Sequence, residues 1–188
     1  KDAVDSVLEQ TFPPVEIIIV NNIPQNQTKE IVSNIAKTSP IDIKYIEHNM
    51  SGKGSISKNL GASKCKGEYI AFLDDDDLWE KNYLKEAKKI LKDKKVDIIL
   101  SKIYTNKDKK LKLFKDPNNV NLQSLLIGNS GVTGSNIIIK KKKFNKVGGY
   151  KKELEPSEDK AIVVEAILKR TKIVCSNKKV YFSLHQQK

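Results

Sequence analysis

The sequence predicts an α/β fold, a doubly wound and mostly parallel sheet flanked by helices, and three features carry that prediction. Helix-like and strand-like stretches alternate through the first half at the spacing of βαβ units. The run Glu16-Ile17-Ile18-Ile19-Val20 is almost wholly β-branched, as expected of a strand covered on both faces. Two polar loops, Asn21-Asn22 and Asp74 to Asp77, follow the ends of predicted strands. Sheets of this kind bind ligands at those ends.

Asp2 to Gln10 reads as an amphipathic helix with Val4, Val7 and Leu8 on one face. Phe12-Pro13-Pro14 stops it, because proline lacks the N–H that a helix interior needs. After the strand at Glu16 to Val20, the polar stretch Asn21 to Thr28 is a loop. Lys29 to Lys37 is the next helix, with Ile31, Val32 and Ile35 as its apolar stripe. Ile41 to Glu47 is a second strand and Ile56 to Lys66 a helix, with Gly67 as its stop. Glu68 to Leu73 is a third strand that runs straight into four aspartates. The second half is less regular. It holds a helix at Tyr83 to Lys92, a strand at Asp97 to Tyr104 and a solvated turn at Lys107 to Lys112. A helix near Leu122 to Ile127 and a strand at Ser135 to Ile139 follow. Gly148-Gly149 is a tight turn, Asp159 to Lys169 a helix, and Ile173 to Leu184 one or two strands. No repeat or linker interrupts the chain, so residues 1–188 form one domain.

Composition narrows the function. Apolar residues are 38% and charged residues 31% of the 188, the balance of a soluble globular protein. The longest apolar runs are far shorter than the roughly 20 residues that cross a bilayer. Cys65 and Cys175 cannot build a disulfide framework or a four-cysteine zinc site, so a reducing cytoplasm is the expected location. The net charge is +12, yet Arg170 is the only arginine. Arginine is the preferred reader of bases and bidentate binder of phosphates, so nucleic acid is not the expected partner. The lysines suit a solvated surface, or contact with an anionic membrane face.

Asp74-Asp75-Asp76-Asp77 is the most informative stretch. Adjacent carboxylates repel one another unless a cation compensates. Hard oxygen ligands select Mg²⁺ or Mn²⁺ and leave coordination positions for substrate phosphates. The alternatives are a solvated acidic turn and a calcium-binding loop, although the ligand spacing and glycine of an EF-hand are absent.

The preceding residues sharpen this. Asn49-Met50-Ser51-Gly52-Lys53-Gly54-Ser55, then Lys58-Asn59, Gly61 and Gly67-Glu68-Tyr69, with Phe72-Leu73 leading into the aspartates, resemble family 2 glycosyltransferases. Asp5 to Phe12 with Glu16 to Val20 resembles that family's first helix and second strand. Val147-Gly148-Gly149-Tyr150 followed by Ser157-Glu158-Asp159 resembles its Gly-Gly-Phe turn and Glu-Asp motif, and Val180 to His185 its closing strand and histidine. The resemblance implies the Rossmann-like GT-A fold, with about 1–104 as a nucleotide-sugar half and about 105–188 as an acceptor half. It implies an inverting, metal-dependent transfer of a sugar from a nucleotide-sugar donor, UDP-linked by expectation, to a glycan or lipid-linked acceptor. Bacterial capsule or lipopolysaccharide synthesis, at the inner face of the membrane, is the implied setting. Asp159 is the implied general base. Asp74, Asp76 and His185 would hold Mn²⁺ or Mg²⁺. Asn21, Asn22, Lys58, Asp74 and Asp75 would bind the donor, with Trp79 and Glu158 at the acceptor.

The sequence departs from the family in three places. Asn21-Asn22 replaces an Asp-Asp pair, Lys58 stands where the family has arginine, and the family's first strand is missing from the chain. A gap in the sheet and a longer native protein are therefore expected. The departures keep two alternatives open: a degenerate module that binds sugar nucleotide or a partner without catalysis, and a nucleotidyltransferase.

Overall fold

The computed structural model describes residues 1–23, 26–49, 54–93, 95–107, 110–128 and 131–182. The first half follows the expected alternation. Helix α1 (Asp2–Leu8) leads to β1 (Glu16–Asn21), α2 (Asn26–Thr38) and β2 (Asp42–Glu47). The two strands pair in parallel from Glu16 opposite Asp42 to Asn21 opposite Glu47, closing a βαβ unit. Helix α3 (Gly54–Lys64) packs on β1 so closely that a Cβ at Gly61 would lie 3.2 Å from the Val20 methyl. Gly67 is not its stop. The helix ends three residues earlier, Gly67 lacks a left-handed φ, and its N–H donates to Glu16 Oε1 at 3.3 Å.

The remaining strands are β3 (Tyr69–Ala71), β4 (Leu78–Trp79), β5 (Ile98–Lys107), β6 (Lys110–Lys115), β7 (Ile137–Lys140) and β8 (Ile173–Phe182). They form one sheet in the order β3-β7-β5-β8-β4, with β6 also on β5. The α/β class holds, but the pairing is mixed and not mostly parallel. Among the described residues β1–β2 and β5–β8 are parallel, whereas β3–β7, β7–β5, β5–β6 and β4–β8 are antiparallel. The cause is that the second half returns through hairpins and loops, without a crossover helix between each pair of strands. β1 and β3 share no ladder, so a gap separates the two sheets. With a partner on one side only, every residue of β1 stays half-exposed, against the expectation of a strand covered on both faces.

Two further expectations give way. Of the stretch Lys107 to Lys112, expected as a turn, Lys107 ends β5 and residues 110–112 belong to β6, which pairs antiparallel with it, while residues 108–109 lie outside the described residues. Leu111 and Leu113 alternate with lysines there, a strand period hidden under the charge. Lys141–Val147 forms an unexpected helix, α6, which ends at Gly148 (φ 91°) and Gly149 (φ 66°). That left-handed pair makes the predicted tight turn.

Helices cover both faces of the large sheet. Ile98, Leu100, Ile137 and Ile139 pack with α5 (Leu122–Ile127), α6 and α7 (Glu158–Leu168) through Leu125, Phe144, Val147, Ile162, Val163 and Ala166. The residues between them, Ile99 and Ile138, point the other way. They meet α1 and α4 (Tyr83–Leu91) through Val7, Tyr83 and Ala87. This period of two lets the large sheet bury both faces, and Gly134, just ahead of β7, comes to lie beside Lys58 of α3.

Candidate active site

β3 ends just before Phe72-Leu73, and the chain then turns through the aspartates, with the Asp77 N–H on the Asp74 carbonyl at 3.2 Å. The turn divides the four carboxylates. Asp77 is fully buried, Asp75 is exposed, and Asp74 and Asp76 are half-buried at the rim. β7 runs antiparallel to β3, so the start of β7 adjoins this turn. The 3₁₀ turn Gly134–Asn136 sits there, and Ser135 Oγ accepts the Asp74 N–H at 3.0 Å.

Lys58, projecting from α3, gathers the site. Its Nζ lies 3.1 Å from Asp159 Oδ1, 3.3 Å from Asp74 Oδ1 and 4.0 Å from Glu158 Oε1. The Tyr150 ring closes another side, with its centroid 5.3 Å from the ammonium. The space is available because residue 134 has no side chain: a Cβ there would meet Lys58 Nζ at 2.4 Å and Asp74 Oδ2 at 2.9 Å. Glu158 and Asp159 occupy the first turn of α7, where acids favour the helix dipole. Asp159 is nonetheless no local cap. Its carboxylate crosses to Lys58 on α3 and also receives the Gly134 N–H.

Burial dominates the electrostatics. It pushes the Asp159 carboxyl above the ordinary aspartate value, against the pull of Lys58. Burial also raises Glu158, and the Asp159 charge adds to it. Asp76 is raised by burial and then by Asp75 and Asp74. Negative charge around Asp76 is thus undercompensated, which a divalent cation would relieve, so the oxygen-only donors Asp74 and Asp76 fit Mg²⁺ or Mn²⁺. Among the described residues no three acidic, histidine or cysteine side chains are already gathered as a metal cluster. His185 lies outside the described residues.

The segment that carries the acids is fastened to α3. Asn59 Nδ2 donates to the Tyr150 carbonyl at 2.7 Å, and its Oδ1 accepts the Tyr150 N–H at 2.9 Å. The Ser55 N–H and hydroxyl both donate to Glu155 Oε1, the former at 2.9 Å.

Other expected residues are placed differently. Trp79, expected at the acceptor, is a core residue. Its indole N–H donates to the Ser135 carbonyl at 2.9 Å, and its ring stacks on Tyr83 with centroids 4.8 Å apart. The Asn21 amide, expected on the nucleotide, is used internally. It accepts the Ile23 N–H at 3.1 Å and donates to the Tyr45 hydroxyl at 2.9 Å, which passes on to Glu47. Asn22 is half-exposed beside it, at the carboxyl end of β1. Gly134, Ser135 and Glu155 belong to the site without any local pattern to mark them. Their only signal is spatial, since antiparallel pairing of β7 with β3 delivers Gly134-Ser135 to the aspartates.

Comparisons with known proteins bear on the fold and the family. A glucosyltransferase of Escherichia coli named UDP-Glc:alpha-D-GlcNAc-diphosphoundecaprenol beta-1,3-glucosyltransferase WfaP is 31% identical over 124 residues, which are 65% of this chain and 48% of the relative. The structure of S. aureus TarS 1–349 in complex with UDP-GlcNAc superposes with a TM-score of 0.78 at 20% identity, covering 99% of this chain and 55% of that one. The mannosyltransferase PcManGT of Pyrobaculum calidifontis, in complex with GDP-Man and Mn2+, gives 0.74 at 17% identity, covering 98% and 52%. These likenesses show the GT-A fold. This chain spans between 25% and 48% of the length of four curated relatives that it matches. The sequence model described as Glycosyl transferase family 2 matches residues 1–148, so the chain belongs to that family.

Proposed function

We propose that the domain is an inverting, metal-dependent glycosyltransferase. It transfers a sugar from a nucleotide-sugar donor, UDP-linked, to an acceptor hydroxyl of a bacterial surface glycan or its lipid-linked precursor. The observation that carries this reading is the meeting of Asp159 and Asp74 on one half-buried ammonium. It puts a carboxylate suited to a base beside one suited to the donor and its metal. Relatives named for the lipid-diphosphate acceptor of WfaP and the poly(ribitol-phosphate) acceptor of TarS support the substrate class. UDP-GlcNAc in TarS and GDP-Man with Mn2+ in PcManGT support the donor and the cation.

Asp159 takes the proton of the acceptor hydroxyl as that oxygen attacks the anomeric carbon and the bond to the diphosphate breaks. A carboxylate held above its ordinary range is a better base for this step than a fully solvated one. Glu158 lies beside it to orient the acceptor. Asp74 and Asp76 would hold the cation, which supplies neutralisation of charge on the leaving diphosphate. Asp75 reaches the ribose, and Asn22 the base, where an amide can both donate and accept. Among the described residues no helix is long and apolar enough to cross a membrane. A net charge of +12 favours peripheral contact with an anionic inner membrane face, at about 1 kcal/mol per lysine near the surface.

The product settles the stereochemistry. NMR of the glycan formed from an α-linked UDP-sugar should show a β-linkage, from a single displacement, and an α-product would exclude it. Activity should also rise with pH through an acid limb above the ordinary aspartate value. The sign follows from the raised Asp159 carboxyl, which must be unprotonated to act and regains its proton as pH falls.

A further inference from the structure

The family resemblance puts the cation at residue 58 on the donor's phosphates. The geometry points elsewhere, and we propose that Lys58 is a positioning residue that holds the Asp159 carboxylate in place against Asp74. The proposal rests on the reading of Asp159 as the base.

Four observations lead there. First, an ammonium has three N–H donors, and three carboxylates lie within 4.0 Å of Lys58 Nζ, with Asp159 the nearest at 3.1 Å. The hydrogen bond goes to Asp159, Asp74 and Glu158 stand at ion-pair distance, and the Tyr150 ring lies against another side of the ammonium. Second, among the described residues no other cation lies within ion-pair distance of Asp74, Glu158 or Asp159. Without Lys58 these three carboxylates would repel one another in a half-buried site. Third, the position is built for the ammonium, since a Cβ at Gly134 would lie 2.4 Å from Nζ. Fourth, Lys58 belongs to a set. Ser55, Lys58 and Asn59 share one face of α3, at i, i+3 and i+4. They grip Glu155, Asp159 and Tyr150 respectively, three points along one ten-residue segment. The backbone of that segment is fixed by Ser55 and Asn59, and the direction of its Asp159 carboxylate by Lys58.

Lys58 therefore acts through Asp159 and joins the donor side to the acceptor side of the site. A phosphate ligand would change donor binding and transfer together. A positioning residue changes transfer and spares donor binding.

The test uses the whole protein with Lys58→Met, Lys58→Arg, Asp159→Asn and the double variant Lys58→Met/Asp159→Asn. In thermal unfolding the double variant should melt a few degrees above the value to which the two single-variant shifts add, because neutralising Asp159 removes part of the repulsion left by Lys58→Met. Calorimetry with UDP and Mn²⁺ should give affinities within about twofold of wild type for Lys58→Met, while the transfer kcat falls about 100-fold. Lys58→Arg should recover most of that rate, since a guanidinium can pair with the same carboxylates. Additive unfolding losses overturn the proposal, as does UDP affinity that falls in step with kcat. If Lys58→Met does not fold, Lys58→Gln replaces it in the same cycle. Wild-type transfer by Asp159→Asn would defeat the base reading by itself, whereas the unfolding cycle reports on Lys58 separately.

Discussion

Asp159→Asn is expected to lower the transfer kcat by about 10²–10⁴-fold while donor affinity stays within about twofold. The substitution keeps the shape of the side chain. The amide oxygen can still accept from Lys58 and from the Gly134 N–H, so the first turn of α7 and its attachment to α3 should persist. The ability to take a proton is lost, and it matters only as the acceptor oxygen attacks. Neutralising a half-buried carboxylate whose proton affinity is already raised by desolvation should also leave the fold intact or slightly firmer at neutral pH. The sign follows from the raised carboxyl: the ionised group opposes folding at neutral pH, and the opposition fades as pH falls through its folded value. Steady-state kinetics with a melting curve on the same preparation checks both parts. Loss of activity together with loss of folding would instead make Asp159 a structural residue.

Gly134→Ala should be nearly as damaging, lowering kcat/KM by about 100-fold, although only a methyl group is added. Its Cβ would stand 2.4 Å from Lys58 Nζ and 2.9 Å from Asp74 Oδ2, distances that no side chain tolerates. A lysine tip can usually swing aside. Here three carboxylates hold it, so relief comes from breaking an ion pair or moving the Gly134–Asn136 turn away from β3. Either movement displaces Asp74 from Asp159, and a misplacement of about 1 Å is enough for such a loss. The control is Gly128→Ala, where a Cβ meets no atom within 4 Å. Kinetics of the two alanine variants should separate them by at least about tenfold, and equal activities would show that the Lys58 cluster does not set the reaction geometry.

The legibility of this protein in its sequence follows the range of the interactions. The aspartate run and Ser157-Glu158-Asp159 are short-range patterns, and the structure brings Asp74 and Asp159 onto one lysine although 85 positions separate them in the numbering. Alternation in the first half is equally local, and α1, β1, α2, β2 and α3 all appear close to their expected bounds. Strand direction in the second half is not local. Nothing near Tyr69–Ala71 announces that its partner is Ile138–Lys140, antiparallel, so neither the mixed sheet nor the place of Gly134 is readable from the chain. Trp79 and Asn21 show the same limit at single residues. Each has a chemistry that suits a ligand, and in each the fold uses that chemistry internally, on Ser135 and on Tyr45. Lys58 is legible by its place in a motif, but its partners are not, because Glu158 and Asp159 arrive from 100 and 101 residues further along the chain.

Donor binding by calorimetry tests the central claim most directly. UDP-, GDP-, CDP- and dTDP-sugars are titrated into the protein and into Asp76→Ala, each with Mn²⁺ and again with EDTA. The account predicts that a UDP-sugar binds with Mn²⁺, that EDTA abolishes the binding, and that Asp76→Ala weakens it by at least about tenfold. Binding that ignores both EDTA and Asp76→Ala, or no binding of any of the four to the folded protein, would contradict a metal-dependent transferase at the end of β3.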